Sequence, residues 1–177
     1  MQVPSNAGRS GSAYELQLDN AMWLCMLDRI ENIIDRRFKF TGLIREAMFP
    51  IQIGYARLTQ GTSDRFFQQG NRKLAMLGDT IMRSIIVDAW ARYDETVLSL
   101  DRRVAKTMCN KNFVRHAYRL FIDRLVVGYF PDGILPGKHV LATTMKAIVG
   151  AVWYDSNHDM WEMRELMDLL LETKLAM

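Results

Sequence analysis

With 177 residues the chain has material for one domain with a full hydrophobic core, whereas two domains of half that length would each be marginal. Hydrophobic residues make up 49% of it and charged residues 24%, which excludes wholesale disorder, and charged side chains recur too often for any apolar run to span a bilayer. The formal net charge of +3 names no partner, so any attraction to nucleic acid has to come from local clusters of basic side chains.

Residues 1–13, with Pro4, Ser5, Gly8, Ser10, Gly11 and Ser12, carry turn-forming chemistry and little apolar surface, and are expected to be a flexible tail ahead of a single domain over 14–177. They match neither a secretory signal nor a transit peptide. From Leu18, the apolar residues Met22, Cys25, Met26, Ile30, Ile33 and Ile34 recur at helical spacing, with Asp19 or Asn20 as the cap. Cys25 and Cys109 lack CxxC or Cys/His spacing and are expected as buried, reduced thiols of an intracellular protein, with cytoplasm, nucleus and mitochondrion left open. Beyond Ile34, Gly42 and Pro50 punctuate the chain. Thr59 to Ser63 reads as a loop.

In the next stretch Leu74, Leu77, Gly78, Ile81, Ile85 and Ala89 follow one helical face to about Tyr93, and Asp79 is the one acid in its first half. Helical periodicity returns over Leu100 to Asn110, Asn112 to Val127, Val140 to Tyr154 and Trp161 to Leu175. Pro131-Asp132-Gly133 with Pro136-Gly137, and Asp155-Ser156-Asn157, separate the last of these. The pattern predicts an all-α chain without an internal repeat.

Asn71-Arg72-Lys73-Leu74-Ala75-Met76-Leu77-Gly78-Asp79 resembles the ribonuclease III signature Asn-Glu-Arg-Leu-Glu-Phe-Leu-Gly-Asp. The stretch from Ala142 to Ala151 is similar to that family's second signature, Ala-Asp-x-x-Glu-Ala-x-x-Gly-Ala. Phe38, Leu43, Ile44, Ala47, Arg103, Ala105 and Asn110 extend the resemblance over roughly residues 18 to 157. It implies the all-α ribonuclease III endonuclease-domain fold, without the double-stranded-RNA-binding domain that usually follows, and a homodimer or a heterodimer with a related subunit.

The resemblance also implies a metal site made of acids, and here those acids are missing. Ala75, Thr143 and Lys146 stand at three of the four core carboxylate positions, Arg72 replaces a further Glu, and only Asp79 remains. Cleaving RNA with divalent metal requires anionic oxygens to hold the cation and activate water. Lys146 would repel such a cation, so a salt bridge between Asp79 and Lys146 is expected in place of metal. The function expected is therefore a non-catalytic, dimeric RNA-associated scaffold or assembly subunit in RNA processing or a ribonucleoprotein, with no cofactor. One alternative is an active endoribonuclease that uses magnesium and a rearranged acid set, with Asp79 joined by Asp155, Asp88 or a partner's carboxylate. Another is a protein-interaction module without RNA contact.

The remaining candidates carry two readings each. Met76 aligns with an apolar family residue that enters a pocket on a second subunit, although a methionine at helical spacing also suits a core. Lys111, Arg115 and Arg119 lie four apart, with Arg102, Arg103 and Lys106 just before them, and form either an RNA phosphate-binding face or a solvated charged one diluted by Asp101 and Asp123. Gly78 and Gly150 point to close helix packing. His116, His139 and His158 have no ligand spacing and read as surface or capping residues. Met160, Met163 and Met167 suit a core or an interface. Gly8 to Gly11 lacks the preceding strand of a phosphate loop.

Overall fold

A computed structural model describes residues 20–50, 69–91, 93, 96–127 and 135–174. The expected tail 1–13, the Asp19 cap, the loop 59–63 and the 131–133 turn lie outside these residues. All regular elements among the described residues are helical: α1 (Asn20–Ile33), α2 (Thr41–Ala47), α3 (Arg72–Trp90), α4 (Val97–Met108), α5 (Asn110–Arg119), α6 (Lys138–Asp155) and α7 (Met160–Leu171), with a single 3-10 turn at Ile122–Arg124. The expected all-α architecture is present.

Helix α6 is the axis. It buries residues on nearly every side, from Val140 to Asp155, as a helix apolar all round must. Across it lies α3, which buries Leu74, Ala75, Gly78, Ile81, Met82, Ile85 and Ile86 along one stripe and leaves its other face open. At the crossing the two backbones touch. A Cβ on Gly78 would sit 1.9 Å from the Lys146 carbonyl oxygen, and one on Gly150 would sit 2.2 Å from that of Leu74. Only glycine permits this approach at both positions, so their expected packing role holds.

Several local expectations shift. The buried stripe of α1 is Trp23, Leu27 and Ile30, with Ile34 just beyond the helix, so Cys25, two residues and some 200° from Trp23, faces outward. Cys109 is also exposed, at the joint between α4 and α5, where its thiol donates to the Lys106 carbonyl at 3.2 Å. Both thiols are free, but neither is buried as expected. Helix α4 starts three residues early because the Thr96 hydroxyl accepts from the Ser99 N–H at 3.2 Å. It ends at Met108 because Cys109 is extended.

The helix expected to run from Asn112 to Val127 stops at Arg119, since Phe121 adopts a left-handed backbone (φ 56°). For a residue other than glycine, that conformation costs roughly 1–2 kcal/mol. Helix α7 starts at an Asp159 cap, whose carboxylate accepts from Trp161 and Glu162 N–H groups at 2.8 and 3.1 Å. It ends at Leu171 because Glu172 is also left-handed.

Candidate functional site

The α3–α6 crossing dictates what meets beside it. Because Gly78 rests on the backbone of Lys146, the next residue of α3 lies alongside the Lys146 side chain. Asp79 Oδ1 and Lys146 Nζ are 2.8 Å apart, as the charge exchange in the sequence leads one to expect. Two residues of α5 complete the ammonium's surroundings. Lys146 Nζ donates to Asn110 Oδ1 at 3.4 Å and stands 5.0 Å from the centre of the buried Phe113 ring. Both charged side chains remain partly exposed, so the pair contributes only about 0–1 kcal/mol.

The other substituted positions offer little to a metal. Ala75 is buried and has no donor atom, and the Thr143 hydroxyl donates to the His139 carbonyl at 2.9 Å within its own helix. Arg72 is exposed at the start of α3. This set does not fit a divalent cation, because its single carboxylate already holds an ammonium whose charge opposes the metal's. Among the described residues, no three His, Cys, Asp or Glu side chains gather as a potential ligand set.

The acids named for a rearranged site serve other contacts. Asp155 is buried at the end of α6, where its carboxylate accepts from Arg36 Nη2 at 2.9 Å and from the N–H groups of Lys39 and Phe40 at 3.2 and 2.8 Å. It fastens the α1–α2 turn to α6. Asp88 pairs with Arg164 of α7.

Asn71, Asn110 and Phe113 gain importance from the fold. Asn71 is buried, and its amide donates to the Ala47 carbonyl at 2.7 Å and to Thr144 Oγ1 at 3.2 Å, tying α2 and α6 to the start of α3. The signal for it lies in the first letter of the signature. Asn110 belongs to the family's middle segment, but only the fold shows it facing Lys146.

The expected RNA-binding residues separate into two groups. Arg102, Lys106 and Lys111 are exposed and make no ion pair among the described residues. Arg103 lies over the Trp90 ring at 4.3 Å, and Arg115 donates to Asn112 Oδ1 and meets His116 Nε2, each at 2.9 Å. Arg119 does not belong to an open basic face. Its guanidinium donates to the Leu169 and Leu170 carbonyls at 2.8 and 3.2 Å and pairs with Glu172 at 2.9 Å, which compensates the C-terminal end of α7.

His116 is not the surface residue expected. It shares the inner face of α5 with Phe113 and Ala117 and is 1% exposed. Burial pushes its imidazole below the ordinary value; Arg115 and Arg119 add to the shift, and Glu172 opposes it. Met76 stands out from α3 at 77% exposure, which excludes the core reading.

No family model matches the sequence, and no curated protein does. The fold has clear counterparts. A nuclease domain of ribonuclease III from Campylobacter jejuni, described for structural flexibility in a region involved in dimer formation, superposes with a TM-score of 0.63 over 84% of this chain and 98% of its own, at 15% identity. A second structure of that nuclease domain gives 0.62 over 84% and 95%, at 16% identity. This chain has the ribonuclease III nuclease-domain fold. The acid-poor crossing of α3 and α6 thus lies within a ribonuclease III nuclease-domain fold. No described helix is long and apolar enough to cross a membrane.

Proposed function

We propose that this chain is a non-catalytic ribonuclease III-type domain that works as a dimeric, RNA-associated scaffold or assembly subunit. The observation that carries this reading is the 2.8 Å contact between Lys146 Nζ and Asp79 Oδ1, which puts a fixed positive charge where metal-dependent chemistry would need anionic oxygen. The other contacts of Asp155 and Asp88 weigh against a rearranged acid set.

Dimerisation is supported by the open face of α3. Met76, Thr80, Ser84 and Val87 recur along it, and the Thr80 and Ser84 hydroxyls are turned back onto the Met76 and Thr80 carbonyls at 3.1 and 3.0 Å. That leaves Met76 and Val87 as exposed apolar side chains on a face whose hydroxyls are already satisfied, suited to a second copy. RNA association is supported by Arg102, Lys106 and Lys111, whose charges remain available for phosphates.

The test is cleavage of a long RNA duplex with magnesium or manganese, using Asp79→Asn as control. No cleavage above background is expected, and cleavage that the control abolishes would overturn the reading. In analytical ultracentrifugation, the native chain is expected as a dimer and Met76→Asp as a monomer. Duplex binding in a gel shift should weaken steeply with salt, and its absence would leave a protein-interaction module instead.

A further inference from the structure

A groove of about 350 Å³ opens between the second half of α1 and the turn that follows α5. Ile33, Phe121 and Leu125 supply its apolar surface, and Arg29, Asn32 and Arg124 complete the lining. At the low end of the range for ligand pockets, roughly 300–1,000 Å³, it has room for one or two large side chains.

Two independent features mark this groove. The first is Phe121, one residue past the α5 C-cap, where a left-handed backbone normally calls for glycine or asparagine. An aromatic residue sits there under strain, yet the residue is 57% exposed, so core packing does not account for the choice. The second is charge. Arg124 lies over the Phe121 ring at 5.1 Å, and neither it nor Arg29 makes an ion pair among the described residues. The acids adjoining them in sequence are occupied or hidden: Asp28 accepts from Arg37 at 2.9 Å and from the Asn32 amide at 3.1 Å, and Asp123 is buried.

We infer that this groove docks a short acidic segment of a partner protein. One large apolar side chain of that segment packs against Ile33, Phe121 and Leu125, and Asp or Glu residues on either side of it face Arg29 and Arg124. Charge complementarity selects this occupant, since apolar walls flanked by two arginines favour an apolar anchor between anionic groups. A nucleic acid fits less well. Only Asn32 offers a neutral polar side chain to read a base, and two arginines provide a short phosphate track. The inference uses neither Asp79 nor Lys146, so it stands or falls apart from the reading of the α3–α6 site.

The experiment pans a random linear peptide library on the full chain, then titrates the recovered peptides by fluorescence anisotropy. The expected peptides carry a Leu, Phe or Trp between acidic residues and bind more weakly as salt is raised. Affinity should fall by about ten-fold or more on Phe121→Gly and on the double variant Arg29→Glu/Arg124→Glu. Phe121→Gly should melt no lower than the native chain, because it relieves the backbone strain, so its loss of binding reports the groove and not unfolding. Recovery of no peptide sensitive to these substitutions, or of basic or uncharged peptides, overturns the inference. So does single-stranded RNA whose binding depends on Phe121, which would give the groove to nucleic acid.

Discussion

Gly78 and Asp79 are consecutive on α3, and they are held in place in opposite ways. Gly78 is pinned against the α6 backbone, where a single added carbon would meet the Lys146 carbonyl at 1.9 Å. Asp79, one step further round the helix, is held by a partly exposed ammonium alone. Close-packed backbone leaves no room for change, whereas a half-solvated polar position tolerates a different charge at little cost. The two residues show how one helix can hold a packing position that admits no side chain next to a polar position open to substitution.

The sharpest way to break this contrast is Gly78→Val. Its side chain has to displace α6 backbone, and a loss above about 3 kcal/mol is expected in chemical denaturation. A near-native midpoint would show that the crossing is not tight. Next comes Asp155→Ala, which strips a buried carboxylate from Arg36 and from two backbone N–H groups, with an expected loss of about 2–3 kcal/mol by the same measurement. An unchanged midpoint would free Asp155 for other roles. On the chemical side of the contrast, Lys146→Met should cost no more than about 1 kcal/mol, because Asp79 then turns to solvent. A larger loss would move the pair from the tolerant region to the rigid one.

The smallest effect concerns pH. The folded chain holds His116 neutral below the ordinary imidazole pKa, so the unfolded chain binds the proton more readily. The stability tied to this residue is complete above about pH 6.5 and is lost as the pH falls below it. Thermal melts from pH 7 to pH 5 should therefore decline less steeply in His116→Gln, and parallel slopes would remove His116 from the account.

The crossing can be read directly in the chain, because apolar residues at helical spacing around Gly78 and Gly150 describe two helices that meet at small residues. The Asp79–Lys146 pair is legible too, since the resemblance puts Lys146 on one helix at a position where the signature has an acid, opposite the acid Asp79 kept on the other. What local pattern does not carry is which of several apolar stripes faces inward. Met22 and Cys25 share helical spacing with Met26 and Ile30, but the position of Trp23 against the core turns them out. Contacts between distant elements are equally hidden. Arg119 looks like one more base on α5 until α7 brings its terminal carbonyls to it, and Asp155 looks like a turn residue until the 36–40 segment folds onto it.

The central claim is that an ammonium occupies the place of a metal beside Asp79. Anomalous diffraction from crystals grown with manganese tests it most directly. The expected result is continuous density between Asp79 and the Lys146 side chain, with no anomalous peak at the carboxylate. A manganese peak coordinated by Asp79, with Lys146 swung away, would contradict it.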